Sequence, residues 1–312
     1  LTYLDLSGNQ LTGSIPDFAN LSNLESLFLY RNYGLLGEIP NFANLPKLEI
    51  FHAHYNHLSG SIPNFSNLPN LTHIELWQNN LSDSIPDFAN LPNITHIALG
   101  INDLVGSIPD FNLPNLVFLD ISSNNLSGSI PNFSNLVDLE LLSLYQNQLS
   151  GTIPNIFFNW SDLIFFSIGE EKTDGLFNNF DGNIDLCNNN NLNVCRIYNN
   201  NISFLNIKNG NNTTITNNKF NAKNNPNLNC VVVDDTTYSD NNWSNIDSTT
   251  HFRTTEQECS TLNVDEEIFE SNIIVFPNPT SGIINILNSS EIQIKQIIVR
   301  NILGQSLIRN EL

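Results

Sequence analysis

The sequence predicts an α/β-type solenoid: stacked coils sharing one concave parallel β-sheet, closed by a C-terminal cap and followed by a small β tail. Three observations carry this expectation. Seven segments of 22 to 24 residues, starting at residues 1, 24, 48, 71, 94, 116 and 139, repeat the scheme L-x-x-L-x-L-x-x-N-x-L-x-G-x-I-P-x-F. Asparagine returns at one place in every segment, as Asn9, Asn32, Asn56, Asn79, Asn102, Asn124 and Asn147. An isoleucine–proline step recurs in each second half, where proline holds the preceding residue out of the helical region.

Each element follows from that spacing. Leu71, Ile74 and Leu76 can point into one core from a short strand while the residues between them face outward. The asparagines stand where the chain leaves the strand, and an amide there can bond the backbone of neighbouring coils. After the proline step the return half should be extended or 3₁₀, with Phe18, Phe42, Phe65, Phe88, Phe111 and Phe133 filling the back of the core. Two lapses stand out: Asp83 replaces the usual glycine, and Gly34 inserts a residue in the second segment.

These residues resemble the leucine-rich repeat family, and the L-x-G-x-I-P half resembles its plant-type subclass. The resemblance covers about half of the chain. It implies a right-handed superhelix whose concave sheet binds a protein, peptide or glycan. Residues 1–162 hold the seven regular repeats, and "LIFFSI" at 163 keeps only the strand of an eighth. Residues 163–229 are asparagine-rich, with fragments of the pattern at 192, 204 and 220. They read as degenerate coils continuing the solenoid, a low-complexity insert being the alternative.

Residues 230–259 resemble the region that closes many secreted bacterial leucine-rich repeat proteins. A cap is needed because the last coil would otherwise expose its core and a sheet edge. With that resemblance goes a disulfide between Cys230 and Cys259, with Val231 to Val233 as a final strand. Cys187 and Cys195 are left open: a second disulfide, or a buried free thiol at Cys195, which stands where a repeat has a core leucine.

After a polar acidic linker, 260–272, residues 273–312 alternate apolar positions around a Pro-Asn-Pro-Thr-Ser-Gly turn, as a small β module does. This tail resembles the type IX secretion sorting domain of Bacteroidetes, through Pro277, Asn278, Pro279, Gly282, Asn301, Leu303, Gly304 and Gln305. The resemblance implies partnership with the type IX secretion machinery and a secreted or outer-membrane cell-surface location. The family's tail is longer, and the chain begins within a repeat and has no methionine, so both ends are expected to continue beyond this sequence.

Composition narrows the function. With 31 acidic against 11 basic residues the formal net charge is −20, which argues against nucleic acid and anionic membrane as partners. No apolar run reaches the length of a transmembrane helix. No phosphate-binding loop, dinucleotide fingerprint, nucleophile elbow, zinc-protease helix or C-x-x-C is present. "NFDGNID" at 179 is a faint calcium-loop candidate through Asp181 and Asp185, short of the full spacing. No cofactor is implied.

The concave face remains. Outward positions read down the stack gather Phe28, Tyr30, His52, His54, Tyr55, His73, Glu75, Trp77 and His96 on repeats two to five. Strands lie ~4.8 Å apart, so four of them span ~15 Å, the width of a few sugar rings or a peptide segment. Aromatic side chains on a rigid sheet bind at low entropic cost. The bland alternative is that aromatics simply suit a β surface. A metal alternative uses His52, His73, Glu75 and His96, on neighbouring strands. A catalytic pair of Glu75 with Asp120 lacks any evident acid/base environment. The sequence therefore reads as a non-catalytic, exported protein that binds a protein or glycan on its concave sheet. The rival is the accessory binding region of a secreted glycan-degrading enzyme whose catalytic domain lies outside this sequence.

Overall fold

The computed structural model of the chain describes residues 1–154, 160–169 and 177–261, and four strands between 273 and 311. It forms two compact units, Leu1–Cys259 and Ser260–Leu312. The first is a solenoid whose concave side is a ten-stranded parallel sheet, running from Tyr3–Asp5 through Ser26–Phe28, Ile50–His52, His73–Glu75, His96–Ala98, Phe118–Asp120, Leu141–Ser143, Phe165–Ser167 and Val194–Arg196 to Phe220–Asn221. Pairing is in register, so Leu27, Phe51, Ile74, Ile97, Leu119, Leu142, Phe166, Cys195 and Phe220 form one buried column.

The coils are held in that register by asparagine. Asn102 accepts from the Leu81 N–H (3.0 Å) and donates to the carbonyls of Leu76 (3.0 Å) and Leu99 (3.0 Å), bridging two coils. Asn56, Asn79, Asn124 and Asn147 repeat this pattern, all buried. The ladder continues through Asn178, Asn200 and Asn225, which the repeat scheme does not pick out. The residue before most of these asparagines takes a left-handed conformation to make the turn, as do Arg31 (φ 57°), Tyr55 (φ 55°) and Ile101 (φ 56°).

At the back, Phe18, Phe42, Phe65 and Phe88 also adopt φ near +50°, costly for an aromatic residue. The preceding side chain supports it in all four coils: Asp17, Asn41, Asn64 and Asp87 each accept the N–H two residues on, which locks the turn. The rings then stack along the solenoid, Phe42 on Phe65 at 6.5 Å and Phe111 on Phe133 at 6.0 Å.

A second layer was not foreseen. After each asparagine the chain forms another short parallel strand, giving a four-stranded sheet from Thr12–Gly13 to Asn80–Leu81 and a seven-stranded one from Val105–Gly106 to His251–Arg253. The return half is therefore partly a sheet. The division falls at Asp83, which keeps the left-handed φ of the glycine it replaces (64°). Gly34 is needed where it stands, because a Cβ there would lie 2.7 Å from the Leu11 carbonyl oxygen. Two further expectations change. "NFDGNID" is the strand Asn179–Asp185 rather than a calcium loop. Cys230–Val232 lies in this second layer and is followed by His251–Arg253, so it is not the final strand. Helix is confined, among the described residues, to Thr236–Asn242, Glu256–Thr261 and a 3₁₀ turn, and none is long and apolar enough to cross a membrane.

The end of the sheet is covered by Trp243, whose ring stacks on Phe220 at 4.2 Å and whose indole N–H donates to the Ile215 carbonyl (2.7 Å). Cys230 and Cys259 form the disulfide, tying the last helix to this end. Cys187 and Cys195 are free, and complete burial pushes the Cys195 thiol up to about 12. The second unit holds two antiparallel pairs, Ile273–Phe276 with Asn285–Asn288 and Gln296–Arg300 with Ser306–Glu311. Pro277, Asn278, Pro279, Gly282, Asn301, Leu303, Gly304 and Gln305 lie outside the described residues.

Asn102→Ala should destabilise the solenoid by about 2–4 kcal/mol in chemical denaturation, since it strands buried donors and acceptors in two coils. Asn9→Ala, at an exposed asparagine bonded only within its own coil, should cost about 1 kcal/mol or less. Equal losses would dismiss the ladder as the stabilising element.

Candidate functional site on the concave face

Two lines of rings cross the strands of the concave sheet. In one, Tyr30, His54 and Trp77 stack nearly parallel, at 4.6 and 4.7 Å between centroids. Tyr55 meets Trp77 edge-on at 4.4 Å and carries the Arg31 guanidinium 5.4 Å above its own ring. In the other, His73 stacks on His96 at 4.1 Å and His96 on Phe118 at 5.7 Å. Phe28 and His52 join them edge-to-face at 5.0 Å.

All nine residues singled out from the sequence are thus on one continuous surface, but it is less open than that reading held. His54 is buried between Tyr30 and Trp77, with 9% of its surface exposed, and Phe28, Tyr30, His52, Trp77 and His96 are half-buried. His57, three residues on, is exposed beyond the turn and donates to the Tyr33 carbonyl.

Glu75 is the charged centre. Its carboxylate lies 3.2 Å from His54 Nδ1 and 3.6 Å from His52 Nε2, close contacts without hydrogen-bond alignment. His73 and His96 are fixed differently. Thr72 and Thr95 each give their hydroxyl proton to a carbonyl one coil back, so the neighbouring ring Nδ1 must donate to the hydroxyl oxygen (2.8 Å in both cases). Their Nε2 atoms then carry the lone pairs. Among the described residues no group of three or more His, Cys, Asp or Glu is placed to hold a metal ion, and in the proposed set His73 and His96 meet face to face.

One feature was missed because it consists of small side chains. Ala98 and Gly100 leave a recess of about 380 Å³ lined by Glu75, Trp77, His96, Phe118, Asp120 and Tyr145, with Ile101 at its rim. The outward columns contain that gap, and a search for small residues between large ones would have found it. Glu75 and Asp120 pair across Ala98 in register, one strand to either side.

Family models for leucine-rich repeats match residues 1–44, 46–90, 115–136 and 138–160. The coils within these spans are leucine-rich repeats. No curated protein sequence matches the chain. Among solved structures, this leucine-rich repeat solenoid is similar to a plant peptide hormone receptor, RGFR1 in complex with RGF2, at 30% identity and a TM-score of 0.60 over 74% of this chain. It is also similar to the Arabidopsis receptor kinase HAESA in complex with the peptide hormone IDA and the co-receptor SERK1, at 29% identity and a TM-score of 0.59 over 75% of this chain. The chain spans 35% and 42% of those proteins. The matched models describe repeats and no catalytic family.

The leucine-rich repeat surface is also poised electrostatically. Burial holds His52, His73 and His96 below the ordinary 6.5, with the neighbouring histidines adding to the effect and Glu75 opposing it. For Glu75, burial alone would raise the carboxyl, but His54, His52 and Trp77 outweigh it and keep it below 4.5. As pH falls below 6.5 the unfolded chain takes up protons that these histidines refuse, so stability declines down to their lower folded values. Below 4.5 Glu75 adds a loss of the same sign, as its stabilised carboxylate is titrated away. The thermal midpoint should therefore fall from about pH 7 to about pH 5, and the His73→Gln, His96→Gln double variant should flatten that fall. An identical slope in the variant would show that other groups set it.

Proposed function

We propose that this chain is a non-catalytic, exported leucine-rich repeat protein that binds a protein or glycan ligand on its concave sheet, as an adhesin or recognition module. The observation that carries the reading is the stack of Tyr30, His54 and Trp77 beside an open recess on a rigid sheet. Stacked rings have already lost their torsional freedom, so a ligand laid on them has little further ordering to meet. Similarity to receptor ectodomains that hold peptide hormones supports a ligand-binding role. The disulfide agrees with an extracellular site of action.

Trp77→Ala and His52→Ala should each weaken by about tenfold or more any ligand found on a glycan and protein panel. Unchanged binding in both would remove the concave-face assignment. The alternative, an accessory region of a glycan-degrading enzyme, predicts a catalytic domain in the upstream reading frame. Only further repeats and a signal peptide there would support the recognition module.

Export by the type IX machinery to the medium or the outer-membrane surface rests on the resemblance of residues 273–312. A fluorescent reporter carrying the natural tail should leave a type IX-competent Bacteroidetes host, whereas replacing Pro277, Asn278 and Pro279 with alanine should retain it. Equal export of both would set the sorting assignment aside.

A further inference from the structure

We infer that the recess over Ala98 captures a cationic side chain, the ammonium of lysine or the guanidinium of arginine, presented by a protein ligand. The inference rests on the reading of the concave face as a ligand surface and names the chemistry it takes. The sheet register sets it up. Ala98 lies directly between Glu75 and Asp120, so the two carboxylate-bearing positions stand two strands apart, roughly 10 Å between backbones, with only a methyl group between them. A cation above that methyl has an anionic group on either side.

Among the described residues neither carboxylate is matched by a lysine or arginine. Glu75 contacts His52 and His54, both uncharged unless protonated. Asp120 uses Oδ1 to accept from the Ser122 amide (3.0 Å) and hydroxyl (2.6 Å). Its Oδ2 points to the space beside Gly100, where a Cβ would stand 3.2 Å away, so the missing side chain keeps that oxygen accessible.

The walls suit the same guest. Trp77, stacked on His54, lines the recess together with Phe118 and Tyr145. A cation against these π faces gains from the ring quadrupoles as well as from the carboxylates. Past the exposed Ile101 at the rim lies a second, polar recess of about 230 Å³, lined by Asn102, Asp103, Ser123, Asn124 and Asn125 among others. Asp103 and Asn125 can meet the backbone on which the captured side chain arrives, whereas the amides of Asn102 and Asn124 are spent in the ladder. The net charge of −20 draws basic partners toward the protein. A neutral sugar would stack equally well on Trp77 but would cover two carboxylates without neutralising either, which is the costlier arrangement. A basic protein segment is therefore favoured over a glycan.

The test titrates the full chain with blocked pentapeptides whose central residue is arginine, citrulline, lysine or acetyl-lysine, and with neutral hexasaccharides. Trp77 fluorescence reports binding, since Trp160 and Trp243 are buried at 1% and 2% exposure. The arginine and lysine peptides should bind at least about tenfold more tightly than their neutral twins. Asp120→Asn should weaken them by about tenfold, and Ala98→Leu should abolish binding by filling the recess, with thermal unfolding confirming that both variants are folded. Equal binding of arginine and citrulline, a hexasaccharide displaced by Ala98→Leu, or no response to any peptide overturns the inference. A panel ligand that needs Trp77 but ignores Asp120→Asn likewise overturns it, while leaving the concave-face reading intact.

Discussion

The buried asparagine ladder is the constraint on which the rest depends. A coil that turns sharply off its strand leaves backbone N–H and C=O groups inside the solenoid, where water cannot reach them. One amide side chain supplies an acceptor and two donors, so Asn102 settles a donor in the Leu81 coil and carbonyls of two coils at once. The same geometry recurs from Asn32 to Asn225, which fixes each coil against the next without a register slip. The left-handed turn before most of these asparagines is the local cost, borne even by Ile101 and Tyr55.

From that fixed stacking comes the concave surface. Outward side chains at one repeat position are brought to strand spacing, close to the separation at which aromatic rings stack. Tyr30, His54 and Trp77 can therefore form a continuous stack from three different coils, and His73 and His96 a second one. The same regularity makes an omission visible as shape. Where the Ala98 coil supplies a methyl group and a glycine, the line of rings stops and a recess opens between Trp77 and Tyr145.

The regular coils were legible because leucine, asparagine and I-P spacing each report one structural requirement. Asn178, Asn200 and Asn225 perform the same task but were hidden, because the leucines around them have given way to Phe180, Cys195 and Phe220 and the coil lengths vary. The second sheet was not legible, since strands as short as Thr12–Gly13 or Asn80–Leu81 leave no alternation to read. The burial of His54 also escaped, because it depends on what the preceding and following coils place beside it. The positions of the site residues were readable from register, but not their packing. Glu75 could be seen as a flank of the histidines, yet its contact with both His52 and His54 depends on side-chain packing.

Ring packing and charge are coupled on this face. Four histidines next to one carboxylate could have given a cationic surface, but burial favours the neutral imidazoles of His52, His73 and His96. Neutral rings stack without mutual repulsion, as the 4.1 Å separation of His73 and His96 requires. They also leave the negative charge of Glu75 only weakly opposed, and Asp120 adds a second anion across the Ala98 methyl. Protonating the histidines would weaken the stacks and set positive charge beside the recess. The packing that builds the surface therefore also sets its sign: an aromatic floor keeps its own bases neutral, and the field above the recess is that of the carboxylates.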